Sequence, residues 1–472
     1  LGPHGTRINY AVMAHSRFPA LCLGTLAALA CLGSDGRTAS AQQAPALSVA
    51  VEQFTLPNGL HVILHRDASI PTVTVNVWYH VGSGSEKVGR TGFAHLFEHL
   101  MFEGSKHVAE GDFDNLLEAA GANNNGSTNG DRTNYYIEGP RSALDLMLFL
   151  DSDRMAYLLD TMSPARVDGQ RDVVKNERRQ GVENQPYGLA ELEIGHLLYP
   201  KNHPYHWPTI GYMEDLTAAS HQDVVDFFKT YYAPNNASLV VAGDIDLAEA
   251  RRLVEKWFTE VPRGADVPPI APPAAYLTSV VSKTMTDRVQ LPRLYMAWHS
   301  PATLTPGDAE LDLVGSVLTG GKNSRLYKRL VFDLQIAQEV VAGQQSASLG
   351  SSFLLMATAR PPKDGETHEG NIARIKAIVD EEIALLQKTP PSARELERAV
   401  NQYEAQFYDT NERVGRRADM LNRYYTLTGN PDYFNEDLAR YRALAPSDVS
   451  AAARTWLSPT RRVEITVLPE AR

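Results

Sequence analysis

Two segments of this chain share one pattern. Asp223-Val-Val-Asp-Phe-Phe-Lys-Thr-Tyr-Tyr-Ala-Pro234 runs into the apolar stretch Ser238–Ala242, and Asp448-Val-Ser-Ala-Ala-Ala-Arg-Thr-Trp-Leu-Ser-Pro459 runs into Val463–Leu468. The spacing from aspartate to proline is eleven in both. Each copy reads as a helix, a proline-marked turn and a strand, so the chain is expected to fold as two related halves. Between them Val261–Ala275 holds five prolines in fifteen residues and reads as an extended linker. A chain of 472 residues also exceeds what one core usually serves. The expected division is 1–41 as a leader, 42–260 as a first domain, 261–277 as linker and 278–472 as a second domain. Thr72–Tyr79 alternates apolar and polar residues as a strand does, while Ile372–Leu386 has helical periodicity. The fold class is therefore α+β, with mainly antiparallel sheets covered on one side by helices.

Chemistry concentrates in Gly92-Phe-Ala-His95-Leu-Phe-Glu98-His99-Leu-Met101. On a helix His95 and His99 lie one above the other, with Glu98 on the adjacent edge. The order H-x-x-E-H inverts the commoner zinc motif H-E-x-x-H. Phe93, Leu96, Phe97, Leu100 and Phe102 make this helix apolar nearly all round, so it is expected to be buried. Buried imidazoles need partners, and a metal supplies one. Two histidines on one helix leave room for a third protein ligand from another element and an open position for water. Glu177 is the candidate. It lies in an expected helix from Pro164 to Glu183, in which Val167, Val174 and Gly181 share a stripe and the arginines mostly take other faces. Glu177 follows Val173 and Val174 by four and three residues, which places it on their side. A carboxylate there is costly to desolvate unless paired, and zinc pairs it; an arginine salt bridge is the alternative.

With 77 residues between the motif and Glu177, the chain resembles the pitrilysin-like inverzincin peptidases, which include the mitochondrial processing peptidase, insulin-degrading enzymes and many bacterial periplasmic members. Further blocks keep the family's order: Leu56-Pro-Asn-Gly-Leu60, Gly121-Ala-Asn-Asn-Asn125-Gly-Ser-Thr128 with Asp131, Thr133 and Tyr135, and Tyr232-Ala-Pro-Asn-Asn-Ala237 with Gly243-Asp244. The resemblance implies two homologous domains closing as a clamshell around a chamber. It also implies a zinc endopeptidase with one Zn2+ per chain on His95, His99 and Glu177, and Glu98 as general base. Asn125, Gly126, Ser127 and Thr128 are expected to pair with the backbone of an extended substrate, and Asp131 to orient a ligating histidine. Gln170 stands where many members carry a second glutamate near the metal. Val331 and Gln338 stand where active relatives place an arginine and a tyrosine in the second domain. A dimer is therefore expected, as a heterodimer if a paralogue supplies that pair. A non-catalytic scaffold of the same fold is the alternative function, although such members usually lose the ligands that this chain keeps. The second half has no H-x-x-E-H.

The run Phe18–Leu32, preceded by Arg17 and followed by Ala39-Ser-Ala41, reads as a signal peptide, with Met13 as a candidate start. This implies a periplasmic or secreted protein. An uncleaved anchor, or a lipid on Cys31, is the rival reading of the same run. Cys22 and Cys31 are the only cysteines, so the mature chain is expected to hold its metal through nitrogen and oxygen. Removing Arg7, Arg17, Arg37 and Asp35 with this segment takes the net charge from −11 to −13, which does not suit nucleic acid. The Gly320-Gly321-Lys322 stretch is no phosphate loop, because Asn323 and Ser316 stand where such a loop needs Ser or Thr and Gly.

Overall fold

A computed structural model describes residues 47–470; the leader read as a signal peptide, with both cysteines, lies outside them. The first half runs β1 (Glu52–Thr55), β2 (His61–Arg66), β3 (Thr72–Tyr79), α1 (Phe93–Leu100), α2 (Asp112–Ala119), β4 (Asn123–Thr128) and β5 (Thr133–Pro140). It continues with α3 (Leu144–Tyr157), α4 (Pro164–Arg178), α5 (Gly188–Leu198), α6 (Met213–Ala218), α7 (His221–Tyr231), β6 (Ala237–Gly243) and α8 (Leu247–Phe258). Neither helix nor strand occurs between Phe258 and Val281. The second half runs β7 (Val281–Asp287), β8 (Arg293–Ser300), α9 (Asp308–Thr319), β9 (Ala337–Gln345) and β10 (Ser351–Ala359). Then follow α10 (His368–Lys388), α11 (Ala393–Glu412), α12 (Val414–Thr428), α13 (Phe434–Arg442), α14 (Pro446–Trp456) and β11 (Val463–Pro469).

Each half builds one sheet, ordered β1-β2-β6-β3-β5-β4 in the first and β7-β11-β8-β10-β9 in the second. The final strand of each half inserts parallel to an early strand of that half, β6 beside β2 and β11 beside β7, and all other pairs are antiparallel. The repeated segments are α7 with β6 and α14 with β11, so the duplication seen in the sequence is a duplication of topology.

The sheets are covered on both faces, not one. One face of each carries helices of its own half, with Leu64, Val75, Val77, Phe97 and Leu148 among the first core and Leu294, Trp298, Leu318, Phe353 and Ile375 among the second. The other face is covered by a helix from the opposite half: α12 lies on β3 and β6, and α5 lies on β8 and β11. The two exchanges differ in chemistry. α5 packs Ala190, Ile194 and Leu198 against Tyr295, Ala297, Val463, Ile465 and Val467. α12 uses polar groups instead: Asn422 Nδ2 donates to Asn76 O at 3.0 Å, and Asn422 Oδ1 accepts from Ser238 Oγ at 2.7 Å. The alternating polar residues of β3 thus meet a polar helix rather than solvent, and β3 and β6 are buried along nearly all their length.

Because each half covers the other's sheet, the halves are expected to unfold together. Ile465 is fully buried under α5; Ile465→Ala should cost ~2–5 kcal/mol and lower a single calorimetric transition without splitting it. Two resolved transitions in the unmutated chain would contradict this.

Candidate metal centre

Helix α1 is buried at all eight positions and starts from an unusual junction. Gly92, its cap residue, has φ 85°, and Gly211, φ 76°, packs against it. A Cβ on Gly211 would stand 2.4 Å from Gly92 Cα, and one on Gly92 would stand 2.9 Å from Ile210 O. Only two glycines allow backbones so close in these conformations. Gly92 offers no side chain to cap the helix, and Glu86 takes that role, accepting from Gly92 N at 3.0 Å and Ala94 N at 2.8 Å. Burial pushes the Glu86 carboxyl well above its ordinary range, with these backbone N–H groups opposing the shift. Helix α4 is tied to the same junction by Arg178, which is buried and donates to Gly211 O and, at 3.0 Å, to Glu183 Oε1. Arg178 is the residue after Glu177, so one guanidinium sets the distance from the α4 carboxylate to the α1 imidazoles.

The result is one cluster. Ligand atoms of His95, His99 and Glu177 all lie within 4.8 Å of one another. Glu177 Oε2 is 3.6 Å from His95 Nε2 and 3.2 Å from His99 Nε2, and the imidazole rings stand nearly perpendicular with centroids 4.9 Å apart. His95 Nδ1 and His99 Nε2 are buried without a hydrogen-bond partner. Burial, reinforced by His99, pushes His95 down to about 4, which leaves the neutral imidazole that a metal requires. Two buried imidazoles and a carboxylate, with orphaned buried nitrogens among them, fit a zinc ion.

Glu98 is buried beside this cluster. Its Oε2 accepts from Thr128 Oγ1 at 2.7 Å. Burial raises its carboxyl above the ordinary value, while the Thr128 hydroxyl, His99 and Arg132 oppose the shift. The hydroxyl comes from β4, the outer strand of the first sheet. Gly126 matters here because a Cβ would stand 3.0 Å from Glu98 Cγ. Asn125 turns its amide oxygen to Gly126 N at 2.8 Å, and Ser127 Oγ donates to Asn134 Oδ1 at 2.6 Å. All four strand residues named from sequence therefore lie on β4, two of them against the Glu98 side chain.

One expected residue is placed otherwise. Asp131 does not reach a histidine: its carboxylate accepts from Tyr205 Oη and, at 2.9 Å, from Ser348 N in the second half, so it joins the halves rather than orienting a ligand. Gln170 donates to Glu103 Oε1 at 2.7 Å, two helical turns before Glu177. Val173 is exposed and only Val174 is buried, because α4 turns Val167, Val174 and Arg178 inward and gives way to a π turn at Arg179–Glu183, which leaves Gly181 exposed. Glu86, Arg178 and Gly211 were not singled out by sequence reasoning; the glycine directly before α1 was the one signal of the junction. Val331 is buried and Gln338 exposed, and neither carries charge.

The sequence profile described as Insulinase (Peptidase family M16) matches residues 61–196, and that described as Peptidase M16 inactive domain matches residues 218–403. The chain belongs to the pitrilysin-like M16 peptidase family. The zinc protease PqqE of Helicobacter pylori is 29% identical over 434 residues, covering 89% of this chain and 93% of that protein. The crystal structure of a protease from Helicobacter pylori matches with a TM-score of 0.79 at 26% identity, over 89% of this chain and 100% of that one. The periplasmic protease PqqL from Escherichia coli shares the fold, with a TM-score of 0.72 at 18% identity, over 90% of this chain and 48% of that one. The M16 two-domain α+β fold and the metallopeptidase family are thus common to this chain and its relatives.

Glu86→Ala would leave buried N–H groups of α1 without an acceptor. It is expected to lower stability by ~2–3 kcal/mol in urea denaturation, with Glu86→Gln, which keeps one acceptor, losing less. Equal stability of Glu86→Ala and the parent would contradict the capping role.

Proposed function

We propose that this chain is a zinc-dependent endopeptidase acting on extended peptides or unfolded segments. The observation that carries the reading is the buried convergence of His95, His99 and Glu177 beside Glu98. A zinc ion held by those three residues would supply Lewis-acid polarisation and lower the pKa of water toward about 7. Glu98 takes the proton from the attacking water and returns it to the leaving nitrogen. Its hydrogen bond from Thr128 holds one carboxyl oxygen and leaves the other for that exchange. The outer edge of β4 accepts the peptide as an added strand, which brings its backbone past Glu98 and lets main chain rather than side chains carry most of the recognition.

Val331 and Gln338 support a paired arrangement, in which a second subunit, identical or paralogous, supplies a cation and a tyrosine over the metal. PqqL, of whose length this chain covers 48%, is compatible with two such units acting together. We place the protein in the periplasm or outside the cell on the apolar leader and the periplasmic neighbour. No helix among the described residues is long and apolar enough to cross a membrane.

The purified full chain should contain one zinc by elemental analysis and cleave an unstructured peptide, alone or with its paralogue. Glu98→Gln should keep the zinc and lose ~10²–10⁴-fold in rate, whereas Glu177→Ala should lose the zinc. A parent chain without zinc would support the scaffold alternative and overturn this reading.

A further inference from the structure

Arg132 makes no direct ion pair among the described residues; Asp419 and Glu98 act on it only from beyond contact distance. It closes the turn between β4 and β5, where Asn129 N donates to Arg132 O at 3.0 Å. Its Nη1 donates to Ser127 O and Ser127 Oγ, both at 2.7 Å, and its guanidinium lies 5.1 Å from the Trp78 ring centroid. Its Nε is buried with no hydrogen-bond partner. Asp419, the acid of α12 on this face, is already engaged by neutral donors: Trp78 Nε1 at 2.8 Å, Asn134 Nδ2 at 2.9 Å and Asn76 Nδ2 at 3.4 Å. Among the described residues no carboxylate stands within ion-pair distance of Arg132.

Two more arginines face the same place. Arg416 and Arg423 are seven apart on α12 and share a flank with Asp419, which reaches Trp78 of β3 and Asn134 of β5. Neither makes a hydrogen bond or ion pair among the described residues. Asp419 ties this flank to Trp78 and Asn134, the ring under Arg132 and the partner of Ser127; burial holds Arg132 below its ordinary pKa, with Asp419 and Glu98 opposing that shift and Arg423 adding to it. Burial raises Tyr136, with Arg416 and Arg132 opposing, and Tyr136 is the β5 residue paired with Asn125 of β4. An unpaired guanidinium in partly desolvated surroundings gains most from a carboxylate, which it can bind bidentately.

Strand geometry says where that carboxylate comes from. Asn124, Gly126 and Thr128 turn toward α1 and α2, as shown by Asn124 Nδ2 donating to Asp114 at 2.8 Å and Thr128 donating to Glu98. Asn125 and Ser127 turn to the opposite face, where Ser127 meets Arg132. A peptide added to the edge of β4 repeats this alternation, so every second side chain points to the arginine face. We propose that Arg132, Arg416 and Arg423 form a carboxylate-recognition subsite on the face of β4 opposite the metal helix, selecting peptides that carry an acidic side chain or a free C-terminus there. This rests on the reading of β4 as the peptide-binding strand. The chain as a whole is acidic, at −11, so a local cluster of three arginines contrasts with its surroundings and directs a single acidic group rather than attracting acidic chains in general.

The test measures binding, so it does not need turnover. Full-length Glu98→Gln protein with added zinc is titrated with fluorescent peptides that differ only in Glu, Gln or Lys at successive positions, each with a free and an amidated C-terminus. At one register of the alternation Glu should bind roughly tenfold or more tighter than Gln. Adding Arg423→Gln should erase that ratio, Arg423→Glu should invert it in favour of Lys, and Arg132→Lys should keep the sign with a smaller ratio. If only amidation weakens binding, by a similar factor and through the same arginines, the carboxylate is the chain terminus. Parental Glu, Gln and Lys ratios in both Arg423→Gln and Arg132→Lys, or a parent indifferent to carboxylates at every position, would overturn the subsite while leaving the peptidase reading intact. A protein that binds none of the peptides would overturn both the subsite and the role of β4.

Discussion

The chemistry of this protein depends on a backbone contact between two glycines. Gly92 and Gly211 meet without side chains, and that contact lets α1 start beside the segment that Arg178 grips from α4. Two imidazoles on one helix and a carboxylate on another converge only if the helices approach at this depth. The approach has a cost, because it strips water from His95, His99 and Glu98, each less than a tenth exposed. A divalent cation held there would offset this cost, since its charge and coordination would replace the lost hydration of groups the core cannot otherwise satisfy. Phe93, Leu96, Phe97 and Leu100 fix α1 in the core from its other sides, so the ligands sit on a rigid element rather than a loop.

The second half shows what the same scaffold becomes without that demand. Gly307 begins α9 in the left-handed conformation as Gly92 begins α1. Counting from these glycines, His95, Glu98 and His99 correspond to Glu310, Leu313 and Val314, the last two buried in the second core. Counting from the capping serines Ser163 and Ser392, Glu177 corresponds to Gln406. The fold is retained and the donor set is replaced by packing. What this half contributes instead is α12, which covers the first sheet through Asp419 and Asn422.

Much of this was legible in the sequence because it is local. Thr72–Tyr79 has the β-branched alternation of a strand and forms one with those bounds; the motif helix is apolar all round and is buried. The position of Glu177 near the histidines was also legible, although by a partly faulty route, since Val173 is exposed and the neighbouring arginine that looked like a surface residue is the one holding the junction. Long-range contacts were not legible. Glu86 and Gly211 act on α1 through backbone atoms, which leave no pattern in side-chain type, and Asp131 looked like a site residue because its link to the second half spans 217 positions. The second layer over each sheet was missed for a related reason: Asn422 and Asp419 are the residue types of a solvated helix face, and only the polar positions of β3 opposite them make that face an interface.

The most direct test of the central claim is anomalous scattering at the zinc absorption edge from crystals of the full chain. One strong peak bounded by His95, His99 and Glu177 is expected, with Glu98 beside it and outside the coordination sphere. A peak elsewhere, or metal coordinated by Glu98 in place of Glu177, would contradict the assignment of ligands and base on which the mechanism rests.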